Sequence, residues 1–346
     1  MAFERYMAFE PTVQWRDYIG WPFTTWESLD REASLLIGCP GVVIPSIRAG
    51  LSWVLETFGY ARYRDHVLVP RFIGRCLLTA IARHALPVES FTPSTRLLLV
   101  VHQYGCDQRL ETIHEVCRRR GWSYIEDSPH GLHAEEGTGP GSLGRFVSLS
   151  KVLPVSKGAF FITPDSRLTT VMRQRRASFH PVSWLLAWWL ARERRHLMVS
   201  GYSRWGGAMS ELYVESQGET GVTRVNIHRG LRRITRYSGC IQERLRLIVQ
   251  ELGDHVMLPD ARRLVYAVPL AAPDDEPAFA ECFRLHGFDA TRYHVDSNRN
   301  VLDPAYRRMF LLPLNPTISQ QVFEAFVRDV SPLVRKRPVE EPVLQP

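Results

Sequence analysis

Between residues 46 and 163 the apolar positions alternate between a spacing near 3.6 and near-continuous short runs, with few residues between one segment and the next. SIRAGLSWVLETFGY (46–60) sets Ile47, Leu51, Val54, Leu55 and Phe58 on one helical face and ends near Gly59, which predicts a helix. DHVLVP (65–70) predicts a short buried strand, and FIGRCLLTAIARH (72–84) the next helix. ALPVESF and RLLLVVHQYG (96–105) read as strands, QRLETIHEVCRRRG (108–121) as an amphipathic helix closed by Gly121, and WSYIED (122–127) as a strand. FVSLS (146–150) and AFFIT (159–163) complete the series.

Apolar strands alternating with helices imply an α/β fold, a mostly parallel central sheet with helices on both faces. Ligands of such sheets bind beyond the carboxyl ends of the strands. Asp127 ends one strand, Lys151 follows another, and His102 to Gly105, with Tyr104 among them, close a third. One crevice would collect them all.

Beyond residue 163 the pattern loosens. A basic, Trp-rich region (171–200) reads as helical, and GYSRWGGAMSELYVESQGETGVTR (201–224) as irregular or hairpin-like. A long helix is predicted from about 228 to 252, with basic residues on one side. RRLVYAVPLAA (262–272), PAFAECFRLHG (277–287), RMFLLPLNP (308–316) and SQQVFEAFVRDV (319–330) then read as strand, helix, strand, helix. The expected division is a large domain, 1–250, and a small C-terminal α/β domain, 251–346, ending in a solvated tail.

At 346 residues, 45% of them hydrophobic, the chain has ample material for such a core. A formal charge of +7 suits an acidic or phosphorylated ligand, and nothing has the arrangement of a nucleic-acid module. Six dispersed cysteines without a C-x-x-C pair give neither a zinc site nor a disulfide framework, so no metal is expected and reduced thiols in a cytoplasmic protein are. The N-terminus has no apolar signal region and repeats MAFE at 1–4 and 7–10, which raises Met7 as an alternative start. The apolar run in HPVSWLLAWWLA (180–191) is far shorter than the roughly 20 residues that span a bilayer. It reads as a buried or subunit-interface helix, with interfacial membrane docking as the alternative.

A lysine in a partly desolvated crevice is an amine nucleophile toward an aldehyde. A carboxylate at the base of the same crevice keeps a pyridine nitrogen protonated, and hydroxyls at a helix start receive a phosphate. Lys151, Asp127 and Ser46, with Arg48 two residues on, supply these groups.

These residues carry a resemblance to the fold-type I pyridoxal 5′-phosphate (PLP) aminotransferases, and within them to the DegT/DnrJ/EryC1/StrS sugar aminotransferases. PSIRAGL (45–51) stands where that family has its phosphate-binding helix start. DHVLVP, HQYG (102–105), IEDSPH (125–130), GSLG (141–144) and SLSKVLPV (148–155) follow in the family's order, and LLPLNPTIS (311–319) resembles its small-domain junction. The resemblance implies that Lys151 forms the Schiff base with PLP and then shuttles the substrate proton. It implies that Asp127 pairs with the pyridine nitrogen, that His130, in place of the usual Gln, lies near the 3′-oxygen, and that Ser46, Arg48 and Ser148 hold the phosphate. Ile47 and Arg48 replace the usual Gly-Thr, so the phosphate loop is rebuilt. The ring-stacking aromatic falls near Phe72. His102, Tyr104, His294, Asn298 and Arg299 are substrate-side candidates.

The implied activity is transfer of an amino group, from a donor such as glutamate to a keto or aldehyde acceptor such as a sugar, by a homodimer. Two alternatives stay open: PLP-dependent lyase or carbon–carbon chemistry at the same lysine, and a PLP-fold protein that has lost catalysis. Residue by residue, plainer readings exist too. Asp127 is also a common turn residue, His130 also suits a satisfied loop position, YHVDSNRNVLDP (293–304) also reads as an ordinary loop, and Lys157 is a fallback nucleophile.

Overall fold

The computed structural model describes residues 24–132, 137–153, 155, 158–177, 221–259, 264–271 and 276–334. Helix α1 (Trp26–Ile37) leads into β1 (Val42–Ile44), α2 (Ile47–Thr57), β2 (His66–Leu68), α3 (Arg75–Ala82), β3 (Leu86–Val88), β4 (Thr95–Val101) and α4 (Leu110–Arg120). Then come β5 (Ser123–Ser128), β6 (Gly131–Leu132), β7 (Arg145–Ser148), α5 (Leu149–Val152), β8 (Ala159–Ile162) and α6 (Ser166–Arg176). Seven of these strands form one sheet in the order β1-β8-β7-β5-β4-β2-β3. The pairs β2/β3, β2/β4, β4/β5 and β5/β7 are parallel, and β8 alone runs against its neighbours β1 and β7. The carboxyl ends of β1, β7, β5, β4 and β2 therefore share one edge.

Burial on both faces explains the unbroken apolar runs. Along β4, Leu97, Leu99 and Val101 pack under α2 and α3, while Leu98 and Val100 pack on the other face with Ile113 and Cys117 of α4. Gly50 lets α2 approach the sheet: a Cβ there would lie 2.5 Å from the Phe146 ring and 2.6 Å from Ile44. Buried Arg176 of α6 grips Asp30 of α1 with both guanidinium nitrogens, at 2.5 and 2.9 Å, and also donates to the Val43 carbonyl at 2.9 Å. An ion pair with that many directed bonds anchors α1 to the edge of the sheet.

Helices α7 (Gly221–Arg232) and α8 (Ile234–Leu252) lead to β9 (Leu264–Val265), β10 (Ala267–Ala271), α9 (Glu276–Leu285), β11 (Arg292–Asp296), β12 (Tyr306–Pro313) and α10 (Gln320–Val334). The three strands β10-β12-β11 form an antiparallel sheet, and β9 pairs with β6 of the first half. Arg244 of α8 is buried and donates to the carbonyls of Leu314, Asn315 and Ile318 at 3.2, 2.6 and 2.6 Å. That clamp gives the LLPLNPTIS junction its physical role.

Several expectations are corrected. The helix expected from 228 begins at Gly221 and breaks at Arg233 into two. The strand reading of 262–272 is interrupted at Tyr266. Residues 292–296 are a strand rather than loop, so His294 sits on β11 while Asn298 and Arg299 lie in the turn after it. FVSLS stops as a strand at Ser148, where the chain winds into α5 and the Leu149 amide turns to the Gly158 carbonyl at 3.0 Å. The Trp-rich run at 180–191, Lys157, the MAFE repeat and the tail lie outside the described residues.

Candidate active site

The shared edge of the large sheet gathers most of the candidates. Reading across it, Ser46 follows β1, Ser148 and Lys151 close β7, Asp127 and His130 close β5, His102 and Tyr104 follow β4, and Phe72 follows β2. The register fixes their levels: Ile44 and Ser148 both face Ala159, Ser128 faces Val147, and Asp127 faces Phe146 on one side and Val101 on the other.

Asp127 is fully buried, and neither carboxylate oxygen has a hydrogen-bond partner. Burial pushes its carboxyl up to about 7, with the His102 charge pulling the other way. Ser128 Oγ and His130 Nδ1 are likewise buried without partners. A folded protein satisfies nearly all such atoms, so this cluster fits a polar ligand that supplies the missing bonds. A protonated pyridine nitrogen is the donor that an isolated carboxylate at the foot of a strand-end crevice requires, and the residues here fit PLP.

Beside Asp127 stands a network of charged groups centred on Glu126. Glu126, also fully buried, takes Arg145 Nε at 2.8 Å and Nη2 at 2.6 Å, the Gly139 amide at 2.8 Å and His102 Nε2 at 3.0 Å. Burial opposes its charge, but the His102 hydrogen bond and the Arg145 charge bring it down to about 2. On its other nitrogen, His102 meets Asp107 Oδ1 at 3.0 Å and the Gln108 amide at 3.2 Å. The carboxylate suits the protonated ring and the amide the neutral one. Burial works against the imidazolium, yet its bonds to Asp107 and Glu126 prevail and hold His102 above its ordinary value. His102 is thus a buried group next to Asp127 whose carboxylate partners favour the imidazolium, not a substrate-facing group. Glu126, Arg145 and Asp107 carried no sequence signal of their own beyond the neighbouring motifs.

The HQYG motif is a tight turn. Tyr104 and Gly105 have φ of +53° and +78°, and the Cys106 amide returns to the Gln103 carbonyl at 2.9 Å. Two successive positive φ values are what a type I′ turn demands, which accounts for the glycine. The turn lays the Tyr104 ring flat on His130, with centroids 4.4 Å apart and planes at 5°. Tyr266, between β9 and β10, tilts against the same imidazole at 5.2 Å and is hydrogen-bonded to the Tyr104 hydroxyl. Burial, helped by the Lys151 charge, pushes His130 down to about 3, so its ring is neutral at ordinary pH. Lys151 Nζ lies 5.8 Å from the centre of the Tyr266 ring.

At the phosphate end, Ser46 caps α2 by accepting the Ala49 amide at 3.2 Å, which leaves its hydroxyl proton to donate. Ile47 and Arg48 form the half-buried first turn of that helix, and Ser148 Oγ is 3.4 Å from Ser150 Oγ. Such a helix start, with a cation in its first turn, is chemically suited to a phosphate. Phe72 is placed differently from expectation: it stacks on His294 at 3.8 Å and 5°, with Tyr306 edge-on at 4.8 Å. A cofactor candidate and a substrate candidate are thereby joined across the two sheets. Asn298 spends its amide on the Asp303 carbonyl at 2.7 Å, and Arg299, at φ +51°, accepts the Arg109 amide on its carbonyl at 2.9 Å. Among the described residues no cluster of His, Cys, Asp or Glu could hold a metal ion, and no helix is long and apolar enough to cross a membrane. None of the six cysteines forms a disulfide.

Comparison with known proteins bears on the segment that carries this edge. Its residues 84–181, which run from the start of β3 through β7, Lys151 and α6, match one family profile. The match is to the DegT/DnrJ/EryC1/StrS aminotransferase family. A curated relative, dTDP-4-dehydro-2,3,6-trideoxy-D-glucose 4-aminotransferase from Saccharopolyspora spinosa, is 30% identical over 97 residues, 27% of this chain and 25% of the relative. The chain thus spans about a quarter of the length of that relative. Solved structures extend the likeness in fold alone. The aminotransferase TlmJ from Streptoalloteichus hindustanus superimposes with a TM-score of 0.62 at 18% identity, covering 94% of this chain and 98% of its own. Helicobacter pylori PseC, an aminotransferase of pseudoaminic acid biosynthesis, gives 0.62 at 12% identity, covering 95% and 99%. The fold is the one these solved aminotransferases share, and the DegT/DnrJ/EryC1/StrS match covers the strand ends that hold Asp127, His130 and Lys151.

Proposed function

We propose that the protein is a PLP-dependent aminotransferase that moves an amino group from an amino-acid donor, glutamate being the first to test, to a keto or aldehyde acceptor of sugar type. The observation that carries this reading is Asp127: a fully buried carboxylate, both oxygens unpartnered, on the same strand-end edge as Lys151. PLP, when bound, supplies the electron-accepting ring that makes an α-proton labile.

The chain's residues supply the rest. Asp127 holds a proton-bearing ring nitrogen, and the His102 charge beside it favours the ionised carboxylate that this requires. Neutral His130 offers an uncharged hydrogen bond to a ring oxygen. Ser46, Arg48 and Ser148 receive the phosphate. Lys151 Nζ would be the cofactor's point of attachment and, as a free amine, the base that holds and returns a proton at that atom. The sugar acceptor is supported by the name of the curated relative. A cytoplasmic homodimer belongs to the same reading.

Borohydride reduction of the protein incubated with PLP tests it. Wild type is expected to show a visible absorption band that reduction fixes onto the Lys151 peptide, and glutamate alone is expected to bleach the band. Lys151→Ala should give no fixed cofactor. Absence of PLP from wild type, or fixation on another lysine, would overturn the assignment.

A further inference from the structure

The chain holds 43 Lys plus Arg, of which only three, Lys151, Lys157 and Lys336, are lysines. At position 151 the one-point ammonium has been kept against that strong preference for guanidinium, and the side chain over which it rests is Tyr266.

Tyr266 is a fixed platform. Its amide donates to the His130 carbonyl at 3.3 Å, its carbonyl accepts the Leu314 amide at 2.8 Å, and its hydroxyl is bonded to Tyr104. Its ring is braced by His130 at 5.2 Å and Tyr104 at 6.1 Å. A buried tyrosine tied at backbone, hydroxyl and ring cannot follow a moving lysine; the lysine comes to it. Lys151, in the one-turn α5, is exposed, and its Nζ lies within cation–π range of the ring face.

We propose that Tyr266 is a positioning residue that seats the free ammonium of Lys151 on its ring face, beside the edge where the amine acts. The seat lies on the link between β9 and β10, so the second half of the chain sets where the amine waits between turnovers. Among the described residues the titratable groups against the ring are His130 from the β5–β6 turn and Tyr104 from the turn after β4, with Asp289 and Tyr293 acting on the two phenols from further off; His130 is neutral at ordinary pH and burial holds the phenols of Tyr104 and Tyr266 protonated. The ring quadrupole therefore favours the ammonium over the amine. This inference rests on the reading of Lys151 as the cofactor lysine.

The test is amine labelling of the full chain, freed of carbonyl adducts with hydroxylamine. Trinitrobenzenesulfonate is applied across pH 6 to 10 and the three lysine peptides are quantified by mass spectrometry. Tyr266→Leu should lower the apparent Lys151 pKa by about half a unit, labelling it about threefold faster at pH 7, with Lys157 and Lys336 unchanged. Tyr266→Phe keeps the ring and should label like wild type. An unshifted Tyr266→Leu profile, or a Tyr266→Phe profile shifted as far as Tyr266→Leu, overturns the seat. If Tyr266→Leu does not fold, Tyr266→Met is the ringless variant and is held to the same outcomes. A shift without borohydride fixation of PLP at Lys151 would keep the seat and sink the function; fixation without a shift would do the reverse.

Discussion

Asp127, fully buried, and His130, half-buried with its Nδ1 enclosed, sit three residues apart where one strand ends, and desolvation moves both toward their neutral forms. For Asp127 the move from 3.8 to about 7 means that the folded protein holds a proton the unfolded chain has lost, so stability falls as pH rises across that window. For His130 the move from 6.5 to about 3 means that the folded protein lacks a proton the unfolded chain has gained, so stability rises with pH across the window from 3 to 6.5. Each is worth roughly 4 kcal/mol by linkage, and between about pH 4 and 6.5 they offset one another. Asp127→Asn in the cofactor-free protein should therefore unmask stability that climbs from pH 4 to 6.5, and His130→Gln stability that declines from pH 4 to 7. Urea midpoints at half-unit pH steps read both slopes; two flat profiles would refute the assignment. At this scale Asp127 and Lys151 were legible through the order of the motifs around them, since a strand-end Asp alone also suits a turn and a lone Lys a solvated surface. Tyr266 was not, since LVYAVPL reads as one apolar run, and the signal that points toward it is the scarcity of lysine around Lys151.

The elements are shaped by a few steric demands. Helix α2 lies close to β1 and β7 because Gly50 has no side chain, and its first turn, with Ser46 and Arg48, is thereby brought to the strand ends. Gly50→Ala should cost about 1–3 kcal/mol through overpacking against Phe146 and Ile44. Phe146→Leu in the same chain should recover part of the loss, a coupling that urea denaturation of the four-member cycle measures; additive losses would mean that the clash is absorbed elsewhere. Most elements of the first half were readable, since continuous runs such as RLLLVV and helical spacings such as that of 46–60 admit few alternatives. The strand β11 was not, because RYHVD carries polar residues on an element whose buried members, Val295 and Asp296, are too few to set a period. Asp296 is buried to organise its turn, accepting the amides of Asn298, Asn300 and Ala305, a task with no sequence pattern of its own. The break at Arg233 was equally hidden, with no Gly or Pro to mark it.

For the whole molecule, alternation of strands and helices was enough to give a mostly parallel sheet with ligand chemistry at one edge. The reversal of β8 and the antiparallel order β10-β12-β11 depend on contacts between distant segments, which spacing does not encode. The homodimer is an expectation at this scale: sedimentation velocity at micromolar concentration should give twice the 39.8 kDa chain mass, and a monomer would refute it.

The short ladder between β6 and β9 has a mechanical consequence. Gly131 and Leu132 pair with Val265 and Leu264, and the Tyr266 amide grips the His130 carbonyl just ahead of them. The three-stranded sheet thus holds a lever whose short arm ends three residues past Asp127. By reciprocity of linked equilibria, if fixing the tilt of that sheet changes the affinity for a ligand at Asp127, that ligand biases the tilt by the same free energy. On the proposed function, a substrate held against the second half of the chain would be coupled through this ladder to whatever Asp127 binds.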